Sequence, residues 1–168
     1  SYYHNWRFNA SQFPDPQTMF DELHRKGYRV LLHHSPQMNL PGTSDLGEDE
    51  DASEMLYQKY ESEGWLVTDG NGRPFIFPWG GGRGGFVDYS HPEAVDHVQK
   101  LIGRVTDYGA IGTKMEWDEF LVPNISTTKL ILEFDNGETT QTMHDWYTAL
   151  YHKAIIEGFD DDLGERSF

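Results

Sequence analysis

No cysteine occurs among the 168 residues, which excludes disulfide frameworks and thiolate chemistry together. Cations are scarce as well: 13 Lys and Arg stand against 28 Asp and Glu, for a net charge of -15. Binding a phosphate backbone needs clustered Lys and Arg, so a nucleic-acid partner is excluded and a neutral substrate fits better. No apolar run approaches the ~20 residues that span a bilayer, and the opening SYYHNW lacks a charged-then-apolar leader. The chain therefore reads as soluble, cytoplasmic or secreted, with no membrane partner. It begins without Met and ends on GERSF, where an apolar strand would be the natural continuation, so a fragment is expected.

What is present suffices for one core: 37% of residues are hydrophobic and 14% aromatic. In FPDPQTMFDELHRKGY, Asp15 can cap and Pro16 can occupy the first turn of a helix, with Met19, Phe20 and Leu23 on one face and Gly27 as the stop. YRVLLHHSP then reads as a buried strand. Residues 37–55 are acidic and aperiodic, which predicts an exposed excursion, followed by a short helix over 56–63. GWLVTDGNGRPFIFPWGGGRGGFVDYS predicts a strand, a turn, a strand, a glycine-rich loop and a further strand. The glycines demand freedom or close approach, and the stretch lacks the Lys-Ser/Thr ending of a phosphate loop.

HPEAVDHVQKLIGRVTDYGA carries apolar residues at spacings of three and four, with Pro92 and Glu93 at its start and Gly109 at its end. IGTKMEWDEF reads as a strand with acids at its C-terminal end, behind a Lys114 expected to be buried. A hairpin, about 121–141, turns at Asp135-Asn136-Gly137, and MHDWYTALYHKAIIEGF forms the last helix. Strands alternating with helices imply parallel βαβ units, either doubly wound or in a barrel, with the site at strand C-termini. His33, His34, Asp88, Glu116, Asp118 and Glu119 all fall at such ends. Two carboxylates sharing a pocket separate an acid from a base, as glycoside hydrolysis requires, and an aromatic-rich composition suits sugar rings stacking on Trp and Tyr. The plain alternative is a solvated strand end.

The segments WRFNASQFPDPQTMFDELHRKGYRVLLHHSP, GWLVTDGNGRP, GGFVDYSHPEAVDHVQKLI, YGAIGTKMEWDEF and MHDWYTALYHKAIIEGF, taken in order, resemble the catalytic barrel of glycoside hydrolase family 31, the α-glucosidase and α-xylosidase family. The most specific pieces are Phe13-Pro14-Asp15-Pro16, Val87-Asp88-Tyr89-Ser90-His91-Pro92 and Met143-His144. The resemblance implies an α/β fold: residues 1–168 as part of one (β/α)8 TIM barrel, about strands 2 to 4 with their helices. It implies a retaining mechanism on α-glycosides, an oligosaccharide or small α-glycoside as substrate, no metal, no cofactor, and the remainder of the barrel as structural partner. The family nucleophile is an aspartate in a Lys-x-Asp-x-x-Glu setting. Lys114 and Glu119 fit that frame, while the nucleophile position falls on Glu116, one methylene longer.

Glu116 is thus expected to attack, Glu119 to support, and Asp118 to take over if a bulge shifts the register. The acid/base is expected outside residues 1–168, so this piece alone should not turn over. Lys114, Trp117, His33, His34, Trp79 and Trp6 form the expected substrate-binding set, although His33 or His34 could be satisfied by backbone and Trp79 could be core. Asp88 reads as a cap on the following helix, and His144 as packing or capping. Two competing readings are a catalytically silent carbohydrate-binding pseudo-enzyme and a metal-dependent barrel hydrolase using His33, His34, Asp88 and Glu116.

Overall fold

The computed structural model describes residues 5–43, 50–79, 82–116 and 131–164, the side chains of 50–54 and 79 excepted. Helix α1 (Pro16–Arg25) starts where Asp15 accepts the Thr18 N–H at 3.0 Å and the Thr18 hydroxyl at 2.6 Å, with Pro16 in the first turn. These bonds favour the charged carboxyl and hold its pKa below the usual range. Phe20 fixes the helix to the core, and Gly27 at φ 85° closes it.

Strand β1 (Val30–His34) pairs in parallel with β6 (Ala110–Met115), with Val30 opposite Ala110, Leu32 opposite Thr113 and His34 opposite Met115. A register shift falls between Val30 and Leu32, and the Thr113 hydroxyl donates sideways to the Leu32 carbonyl at 2.5 Å. Among the described residues no other strand flanks this pair, so β1 is less buried than an interior strand: Leu31 is 49% exposed.

Between these strands the chain makes an excursion. Strands β2 (Gln37–Asn39), β4 (Ile76–Trp79) and β5 (Gly82–Phe86) form an antiparallel sheet in the order β2-β5-β4. The strand expected before the third helix therefore does not join the parallel pair. Its glycines explain why: a Cβ on Gly84 would lie 2.2 Å from the Met38 carbonyl oxygen, so only glycine lets β5 come this close to β2. The exposed stretch expected over 37–55 is also shorter than expected. Gln37, Met38 and Asn39 are buried in β2, and α2 (Glu50–Ser62) starts before the short helix anticipated, because Tyr57 and Tyr60 anchor a longer one. Strand β3 (Thr68–Asp69) pairs antiparallel with β7 (Leu132–Glu133). The expected turn follows, with the Gly137 N–H donating to the Phe134 carbonyl at 2.9 Å and Gly137 at φ 78°. The rest of the anticipated hairpin, through residue 130, lies outside the described residues.

Helix α3 (Pro92–Thr106) buries Ala94, Val98, Leu101, Ile102 and Val105, the face its spacing prescribes. Helix α4 (Thr140–Leu163) runs past the expected end, because Gly158 is internal and the stop comes at Gly164, φ 66°. A Cβ on Gly158 would meet Ile102 Cδ1 at 2.6 Å, so this glycine sets how closely α3 and α4 pack.

Candidate functional site

The parallel pairing of β1 and β6 brings their C-terminal ends side by side, with His33 opposite Lys114. The Glu116 N–H donates to the His34 carbonyl at 3.1 Å, which carries the ladder one residue beyond β6. Side chains alternate along a strand, so Glu116 shares a face with Lys114. The three groups meet there. Lys114 Nζ lies 3.0 Å from Glu116 Oε1, and His33 Nε2 lies 3.0 Å from Oε2. The hydrogen bond from Lys114 is the largest influence on the carboxyl and lowers its pKa; slight burial opposes this, and the charges on Lys114 and His33 add to the lowering. Glu116 is thus held ionised, oriented and accessible, its side chain 41% exposed. Lys114, expected to be buried, is 64% exposed on its side chain: at the strand end its ammonium stays hydrated while the stem reaches over to Glu116.

His34 and Trp6 turn elsewhere. Their rings stack at 4.4 Å with 16° between planes, and both are buried. His34 Nδ1 meets the Tyr151 hydroxyl at 2.9 Å, and that hydroxyl donates to the His34 carbonyl at 3.1 Å. Trp6 takes φ 54°, a region unfavourable for a bulky residue, and its packing on His34 and Phe159 holds it there. Both rings are largely taken up by this packing, which supports the strand end. Trp79 closes β4 opposite Gly82, its side chain outside the description. Trp117, Asp118 and Glu119 also lie outside the described residues.

Asp88 does not cap α3. The cap is His91, whose Nδ1 accepts the Glu93 N–H at 3.2 Å. Asp88, 2% exposed, instead accepts the Ser90 N–H at 2.9 Å, the Ser90 hydroxyl at 2.6 Å and the Asp135 N–H at 2.7 Å, which ties the turn before α3 to the segment after β7. With its oxygens so used, it is withdrawn from the metal set proposed with His33, His34 and Glu116. Among the described residues no group of three or more His, Asp or Glu is placed to hold a metal. His144 neither packs nor caps: it is exposed, 2.8 Å from Asp145, while α4 starts at Thr139. Sequence reasoning missed Tyr151, although its spacing of four from Tyr147 places both on the buried face of α4.

A family model for the Glycosyl hydrolases family 31 TIM-barrel domain matches residues 1–168. The alpha-xylosidase XylQ of Lactiplantibacillus pentosus is 25% identical over 94% of this chain and 18% of its own length. The sulfoquinovosidase of Escherichia coli (strain K12) is 25% identical over 98% of this chain and 22% of its own. The chain thus spans about a fifth of these relatives. Among solved structures, a GH31 dextranase of Flavobacterium johnsoniae complexed with glucose superposes with a TM-score of 0.79 at 20% identity, covering 98% of this chain and 19% of that one. Helices and strands mix here as in that fold, with no closed barrel among the described residues.

Proposed function

Because the chain belongs to glycoside hydrolase family 31, we propose that its protein is a retaining hydrolase of α-glycosides in which Glu116 is the nucleophile. One observation carries this reading: at the end of β6, Glu116 is held ionised between Lys114 and His33, each 3.0 Å away. A carboxylate nucleophile must be charged, fixed in direction and reachable from solvent. Oε1 accepts the Lys114 hydrogen bond, Oε2 faces His33, and lone pairs remain for attack on an anomeric carbon. The bond formed is an ester between Glu116 and the sugar, and the bond broken is that to the aglycone oxygen, which takes its proton from an acid supplied outside residues 1–168. Water then releases the sugar. The alpha-xylosidase relative supports the α-glycoside class.

On this reading residues 1–168 form part of one catalytic (β/α)8 barrel, about strands 2 to 4, with the remainder of the barrel as partner. Glu119 supports Glu116, and Asp118 is the alternative nucleophile. A second reading, a carbohydrate-binding pseudo-enzyme, is favoured by the extra methylene of Glu116 and by the engagement of both its oxygens. A misplacement of about 1 Å at the reacting atom costs roughly 10²-fold in rate. Labelling the whole protein with activated 5-fluoro glycosyl fluorides separates these readings. The expected outcome is a label on Glu116; a label on Asp118 moves the nucleophile, and sugar binding with no label favours the pseudo-enzyme.

A further inference from the structure

A group of cations lies apart from the strand ends. The segment before α1 contributes Asn5 and Arg7, α2 contributes Leu56 and Lys59, and α3 contributes His97 and Arg104 to one cleft of about 300 Å³. In a chain of net charge -15, no Asp or Glu lines this cleft among the described residues. Arg104 Nη1 donates to the Asn5 carbonyl at 2.7 Å. Lys59 lies 4.5 Å over the Trp65 ring and 3.5 Å from Glu63. His97 Nδ1 meets the Tyr60 hydroxyl at 3.0 Å. Asn5, 3% exposed, accepts the Arg7 N–H through Oδ1 at 3.0 Å, while its Nδ2 has no acceptor among the described residues.

The electrostatics point the same way. Burial pushes the Arg104 pKa down, and Arg7 pushes it further. Burial also lowers the pKa of His97, Lys59, Arg104 and Lys100 lower it further, and Asp96 opposes them. Guanidinium, ammonium and amide N–H groups line one cleft; Lys59 has a carboxylate neighbour in Glu63, but among the described residues no Asp or Glu lines the cleft and Asn5 Nδ2 has no acceptor.

We propose that this cleft binds a tetrahedral oxyanion, a phosphate or sulfate group, held by Arg7, Lys59 and Asn5 Nδ2 over the charge of Arg104. The donors come from two separate segments, with the Arg104 charge on a third, which suits oxygens pointing in several directions better than the two coplanar oxygens of a carboxylate. The cleft also has room for the few carbons of a small phosphorylated or sulfated molecule. None of its lining residues belongs to the Glu116 cluster, so the site is independent of the glycosidase reading.

The test is a titration of the full chain at pH 7 with inorganic phosphate, inorganic sulfate and acetate, at ionic strength held constant with NaCl, followed at the His97 imidazole by NMR. Phosphate and sulfate are expected to saturate the signal and raise the His97 pKa, with acetate at least about ten-fold weaker. R7Q and K59Q are each expected to weaken phosphate about ten-fold or more; should one variant not fold, the other carries the test. Glycerol phosphate distinguishes the sources: tighter binding than inorganic phosphate points to a carried group, equal or weaker binding to the free ion. Absence of saturation, acetate binding equal to phosphate, or phosphate binding unaffected in the folded variants overturns the proposal.

Discussion

Glu116 owes its charge state to a neighbour two residues back. Lys114 supplies the largest influence lowering its pKa, and His33 contributes less. The sign follows: with its folded pKa below the unfolded value, Glu116 favours the folded state above the unfolded pKa and loses that contribution as pH falls through the folded value. Lys114→Met is expected to move the Glu116 pKa up towards the ordinary carboxylate range, read from the side-chain carbon shift in an NMR titration. An unmoved pKa would show that His33 or the backbone sets it. In the whole protein, Glu116→Gln is expected to lower kcat by roughly 10³-fold or more, since nothing replaces the attacking oxygen; unchanged turnover would remove Glu116 from the chemistry. Sequence alone placed Glu116 and Lys114 at one strand end, because alternation within a strand is local. It could not place His33 against Glu116, because that contact depends on which strand β1 takes as its neighbour, and for the same reason it did not foresee the stacking of Trp6 on His34.

Helices α1 and α3 were legible because their faces repeat every three or four residues and Asp15, Pro16, Pro92 and Gly109 mark their ends. The excursion between β1 and β6 was less so, since GRGGF has almost no side chains to reveal which backbone it faces. Glycine carries two separate meanings here, and substitution distinguishes them. Gly84→Ala sets a methyl against the Met38 carbonyl, and a backbone oxygen at 2.2 Å cannot yield cheaply. A loss of about 3 kcal/mol or more is expected in denaturant titration. Gly72 has open space around it and φ 73°, so Gly72→Ala should cost only about 1 kcal/mol, the strain of a left-handed residue. Equal losses at the two positions would mean that β2 and β5 are not so closely apposed.

At the scale of the molecule, charge of one sign dominates: -15 over 168 residues repels itself in the compact state. Raising NaCl from 10 to 150 mM shortens the screening length to roughly 8 Å, and the Tm is expected to rise; a Tm that falls would mean attractive pairs such as Lys114–Glu116 outweigh the repulsion. Against that pressure, α4 ties together parts that share no strand. The Tyr147 hydroxyl donates to the Val87 carbonyl at 2.8 Å beside the antiparallel sheet, and one turn later the Tyr151 hydroxyl donates to the His34 carbonyl at 3.1 Å at the end of the parallel pair. Neither bond survives if α4 leaves, so the backbone amides of the two sheets are expected to exchange together in hydrogen-exchange measurements, through detachment of that one helix.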